Sequence, residues 1–173
     1  MRRTAMVLVM LFLAPSLLGV VAETPDTISL DGDMSDWPQD SLQTTDSNAV
    51  TFRMTWDESH LFIGWSGTDW ASESEGADFF IYLNSSEGGT PLSKDWNLAQ
   101  TLPFAADHAF VLEDSMYSSL QMYNGSGWVE NPQSAATWIG HSENQNTEIG
   151  IPWDAIGNPV SYTHLTLPTI YSV

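Results

Sequence analysis

An all-β chain, folded as an antiparallel β-sandwich of jelly-roll or immunoglobulin-like layers, is what the sequence predicts between residues 23 and 159. Three observations carry this. Short apolar segments, about nine in all, recur at roughly sandwich-like intervals of 8–12 residues. Clusters of Gly, Asp, Asn and Ser separate them. No long stretch keeps the 3.6-residue period of an amphipathic helix.

At the N-terminus, Met1-Arg2-Arg3 followed by an uncharged run to Ala22 has the form of a secretory signal peptide. The run approaches bilayer-spanning length, so a retained membrane anchor is the competing reading. Pro15 and the small residues at Val20-Val21-Ala22 favour cleavage, which makes residues 1–22 a leader and the mature protein secreted or held at the cell surface. A short strand through Ile28 and Leu30 then meets the turn formers Asp31-Gly32-Asp33, and Trp37 is placed to pin the loop to the core.

Phe52, Met54 and Trp56 alternate with polar residues, and Asp57-Glu58-Ser59 turns them into Leu61–Trp65, a predicted hairpin. Phe79, Ile81 and Leu83 alternate with Asp78, Phe80 and Tyr82, and apolar residues on both faces predict a central, buried strand. The polar stretch from Asn84 to Thr101 reads as a long loop. Strands are predicted for His108–Leu112, Leu120–Tyr123, Trp128–Val129, Trp138–His141 and Thr147–Ile151. The last ends in a proline-initiated helical turn at Pro152-Trp153.

Val160-Ser-Tyr-Thr-His-Leu-Thr-Leu-Pro-Thr169 matches one reading frame of a transposase adapter used in sequencing libraries. Residues 160–173 are therefore read as a non-native tail. The domain is expected to be truncated at its C-terminus, with a terminal strand and a core edge missing.

All 22 acidic residues follow Ala22, where only Arg53 and Lys94 carry fixed positive charge, a balance of −20. Such a surface repels nucleic acid and anionic lipid. It suits a saline setting, where ions screen self-repulsion, or simply an acidic secreted protein. The absence of cysteine excludes disulfides, thiolate metal sites and a cysteine nucleophile. No nucleophile-elbow, zinc-protease or phosphate-cradling motif is present, so no catalytic residue is assigned.

Four motifs occur in the order seen in family 9-like carbohydrate-binding modules, and the chain resembles these and the related DOMON-type sandwiches over residues 28–157. They are Leu30-Asp-Gly-Asp-Met-Ser-Asp-Trp37, Thr55-Trp-Asp-Glu-Ser-His-Leu-Phe-Ile-Gly64, Ala77-Asp-Phe-Phe-Ile-Tyr-Leu-Asn84 and Glu148-Ile-Gly-Ile-Pro-Trp-Asp-Ala-Ile-Gly157. The resemblance implies a non-catalytic, monomeric carbohydrate-binding module within a larger chain. Its alternatives are a haem-binding electron carrier, as in some DOMON-like domains, and a structural adhesion domain.

A sugar presents a weakly apolar face and a rim of hydroxyls, so its recognition needs a flat aromatic beside carboxylates or amides. Trp70 and Trp96, in polar loops, are candidates, as are Tyr123 and Trp128, which flank a Gly-rich turn. The competing readings are buried loop plugs for the first two and a cross-strand packing pair for the others. Trp37, Trp56, Trp65 and Trp153 read as core. Asp31, Asp33 and Asp36 offer closely spaced carboxylates suited to calcium, which the family often carries; the competing reading is bonding to turn backbone. Haem would need axial ligands from Met54, Met116, Met122, His60, His108, His141 or Lys94, none at diagnostic spacing. Asn84-Ser-Ser86 and Asn124-Gly-Ser126 match the N-glycosylation pattern.

Overall fold

The computed structural model describes residues 7–13, 28–43, 50–67, 79–94, 100–114, 117–134, 137–139, 146–158, 165–166 and 171–172. Fourteen strands run in chain order through the described residues, which contain three 3-10 turns and no α-helix: β1 (Val7–Leu13), β2 (Leu42–Gln43), β3 (Thr51–Trp56), β4 (His60–Ser66), β5 (Phe79–Asn84), β6 (Thr90–Leu92), β7 (Thr101–Ala106), β8 (His108–Asp114), β9 (Tyr117–Tyr123), β10 (Trp128–Glu130), β11 (Thr137–Ile139), β12 (Asn146–Pro152), β13 (Leu165–Thr166) and β14 (Tyr171–Ser172). The all-β, sandwich-like class is as the alternation predicts.

Two sheets form the layers. The first has the order β10-β9-β8-β5-β1-β13, with β14 also on β1; the second has the order β11-β12-β4-β3-β2. Side chains alternate across each strand, so odd-numbered residues of β5 point one way and even-numbered ones the other. Phe79, Ile81 and Leu83 join Phe110, Leu112 and Leu120 of the first sheet against Phe52, Met54, Leu61, Ile63, Trp65, Ile149 and Ile151 of the second. Each such buried side chain contributes about 1.5–3 kcal/mol. Trp65 stacks on Phe79 across the interface, ring centres 4.7 Å apart.

Both outer faces are covered too. Phe80, Tyr82, Ala109 and Val111 on the back of the first sheet lie under Leu102, Phe104 and Ala106 of the β6–β7 hairpin. This corrects the predicted loop over residues 84–101: Thr90–Leu92 is a strand inside it, and the unpredicted β7 is its partner. Local patterning hides both, because Pro91 and Pro103 lie in these strands. The hairpin tolerates proline because each strand has only one hydrogen-bonded neighbour.

On the back of the second sheet, Ile28 and Trp37 pack on Phe62. The 3-10 turn Trp153–Ile156 follows β12 as expected, with Gly157 at φ 84° ending it.

All pairings within the two layers are antiparallel except β1 with β5, which run parallel from Val7↔Phe79 to Phe12↔Asn84. Strand β1 belongs to the segment read as a leader, and β13 and β14 to the one read as a non-native tail. Their backbones extend the first sheet past β5, so β5 is flanked on both edges, by β8 and by β1.

Candidate functional site

The outer face of the first sheet near its β10 edge gathers the aromatic candidates. Trp128 and Tyr123 stand opposite each other in register on β10 and β9. Their ring centres are 5.9 Å apart at 64°, and Tyr82 meets the same indole at 5.8 Å and 65°. The indole N–H donates to the carbonyl of Leu92 at 3.1 Å, and the Tyr82 hydroxyl donates to that of Lys94 at 2.8 Å. Trp128 and Tyr123 are half-buried, with the exposed Leu92 beside them.

Alternation puts Ser119 and Gln121 on the same side of β9 as Tyr123, and Glu130 on the same side of β10 as Trp128. The Gln121 amide donates to Ser119 Oγ at 2.6 Å. Gln121, Ser119 and Tyr82 are buried, so the surface open to a sugar is the half-buried Tyr123–Trp128 pair with the exposed Glu130 carboxylate beside it, an aromatic face and a carboxylate as sugar recognition requires. The edge-to-face angle means that Tyr123 and Trp128 cannot both stack on one sugar face: one would stack and the other bound it.

The predicted partners Trp70 and Trp96 lie outside the described residues. So do Met116 and His141.

In the Asp31–Trp37 turn the three aspartates each bond backbone through one oxygen. Asp31 Oδ1 accepts the Asp33 N–H at 2.9 Å, Asp33 Oδ1 accepts that of Ser35 at 3.0 Å, and Asp36 Oδ2 accepts that of Ser29 at 2.7 Å. Asp31 and Asp33 each accept from the backbone two residues on, and Asp36 from the backbone seven residues before it. Among the described residues no three His, Asp or Glu side chains are grouped to hold a metal ion.

The carboxylate that organises this turn is Glu148, from the other end of the domain. It is fully buried and accepts the backbone N–H groups of Asp31 and Gly32 through Oε2 and the Trp37 indole N–H through Oε1. Burial pushes its carboxyl above the ordinary value; the three donors oppose this, and nearby Asp36 adds to the rise. Gly64, opposite Glu148 on β4, leaves the space the indole fills: a Cβ there would come within 3.0 Å of the Trp37 ring. The two motifs that bracket the chain are therefore one interlocked structure.

A second polar cluster, not anticipated from the sequence, joins the start of β8 to the end of β5. Buried Asp107 accepts the Ser85 N–H at 2.9 Å and the hydroxyls of Ser85 and Ser86, while His108 Nδ1 lies 3.5 Å from its Oδ2. Ser85 Oγ is 3.0 Å from the same Nδ1. A serine–histidine–acid relay needs the serine on one ring nitrogen and the acid on the other. Here both meet Nδ1, so the cluster is a clasp between strands. Burial alone would raise the Asp107 carboxyl, but bonds from His108, Ser86 and Ser85 outweigh it and hold it below its ordinary value.

The haem candidates are dispersed. Met54 is in the inter-sheet core, and His60 stacks on Phe62 at 5.6 Å. His108 and Met122 stand directly opposite each other on β8 and β9. Directly opposed residues on neighbouring strands are about 5 Å apart at Cα, with side chains on one face. That arrangement leaves no room for a porphyrin between them.

Comparison with protein-family models, with curated proteins and with solved structures finds no match. The family resemblance accordingly rests on the four motifs.

Proposed function

We propose that the chain is a non-catalytic carbohydrate-binding module of a secreted or cell-surface protein. The observation that carries this reading is the half-buried Tyr123–Trp128 pair at the β10 edge of the outer sheet face, resting on buried Tyr82, with the exposed Glu130 beside it. The motif resemblance supports it. The strongly acidic composition favours neutral glycans over sulfated or uronic ones, which the surface field repels. Calcium at Asp31, Asp33 and Asp36 is supported by their close spacing and by the resemblance, and is tested as a melting-temperature rise that chelator reverses.

Affinity for insoluble neutral polysaccharides and a glycan array tests the reading. Trp128→Ala should weaken binding about tenfold or more, as truncating an aromatic anchor does. Tyr123→Ala should weaken it less. Loss with Trp70→Ala or Trp96→Ala, but not with Trp128→Ala, would move the site to the loops. No binding to any polysaccharide would leave a structural adhesion role.

A further inference from the structure

We infer that Asn124 is an N-glycosylation site, and that the other matching tripeptide, at Asn84, is closed. This stands independently of the carbohydrate-binding reading. Both tripeptides carry the required residues, and the fold separates them.

At the β9–β10 turn, Asn124 Oδ1 accepts three bonds, from the Ser126 N–H at 3.0 Å, the Ser126 hydroxyl at 2.9 Å and the Gly127 N–H at 3.0 Å. The acceptor asparagine and its hydroxyl partner are thus already joined. All three bonds fall on the amide oxygen, and the amide nitrogen makes none among the described residues. Asn124, Gly125 and Ser126 are exposed, and a Cβ built on Gly125 or Gly127 meets nothing within 4 Å. A transferase therefore meets an open turn tip. Gly125, at φ 91°, takes the left-handed backbone that the tight turn demands.

Asn84 differs on each count. It is half-buried at the end of β5, inside the strand rather than at an open turn tip. The Ser86 hydroxyl donates to Asp107 Oδ2 and so does not engage Asn84.

The donor is an oligosaccharide on a polyprenyl pyrophosphate. The C–N bond forms between Asn124 Nδ2 and the anomeric carbon of its first sugar as the bond from that carbon to the pyrophosphate oxygen breaks. The pyrophosphate lipid leaves with the electron pair, and Nδ2 gives up one proton.

The test is to incubate the purified full chain with a purified single-subunit oligosaccharyltransferase and a polyprenyl-pyrophosphate oligosaccharide, then read intact and peptide masses. One glycan on Asn124 is expected, lost in Asn124→Gln and in Ser126→Ala and retained in Asn84→Gln. Absence of transfer to the wild-type chain, or a glycan on Asn84, overturns the inference.

Discussion

The indole N–H of Trp37 donates to Oε1 of Glu148 at 2.6 Å, joining residues 111 positions apart in the chain. With the Asp31 and Gly32 amides on the other oxygen, one buried carboxylate fastens the N-terminal cover to the second sheet. Glu148→Ala strands three donors, and buried unsatisfied groups cost about 1–3 kcal/mol each before relaxation. A loss of about 3 kcal/mol in urea unfolding is expected, with Glu148→Gln smaller because one acceptor oxygen survives. The sign with pH is unusual for a carboxylate. Its folded pKa is raised, so its contribution is fully present below the unfolded value and fades as pH rises through the folded one.

Gly64→Ala tests the same joint from the other side. The added methyl would press on the Trp37 ring and on Met34 Cε at 2.9 Å. Overpacking of this kind costs roughly 1–3 kcal/mol. Met34 can swing aside, whereas the indole is fixed by Glu148. Tryptophan fluorescence should shift with the indole, and Met34→Ala in the same chain should not restore stability fully.

Asp107 provides the opposite pH dependence. Its folded pKa is lowered, so its stabilisation is present above the ordinary aspartate value and is lost as pH falls through the folded value. Asp107→Asn should lower the melting temperature most near neutrality, and the gap should narrow in acid. A gap that stays constant from neutral pH into acid would show that the clasp holds through hydrogen bonding alone.

Strand β5 has neighbours on both edges, one of them β1. A protein beginning at Glu23 lacks that neighbour, and bare strand edges recruit other chains. Hydrogen exchange at Phe79–Leu83 should accelerate relative to the full chain, and light scattering should detect self-association. Unchanged protection would mean that another segment takes the same edge.

Much of this was legible in the sequence. The β3–β4 hairpin, the central β5 and the turn at Pro152-Trp153 each announce themselves through period-two alternation or turn chemistry, which are local properties. Trp37, Trp65 and Trp153 are core as their positions suggest, Trp56 packs partly buried against it, and Tyr123 and Trp128 do form a cross-strand pair. What stayed hidden depends on distant pairings. Pro103 disguises β7, whose Leu102 and Phe104 are apolar because they roof β5 and β8. Glu148 looks like an ordinary acid in an alternating strand until Trp37 is laid beside it. The Ser85–Asp107–His108 clasp needs two strands to be adjacent before its parts meet.

The order of the second sheet has a kinetic consequence. Strand β12 lies between β11 and β4, so it must pair with residues 60–66 after roughly eighty intervening residues have been made. By contrast β8, β9 and β10 follow one another closely in the chain and pair in that order. Contacts of large sequence separation form late and slowly. During synthesis the first sheet can assemble from these neighbours, while β4, already paired with β3 on one edge, keeps its other edge open until β12 is made in the chain's last third. A chaperone or a slow-translating stretch would matter most in that interval, between the emergence of Ser66 and that of Pro152.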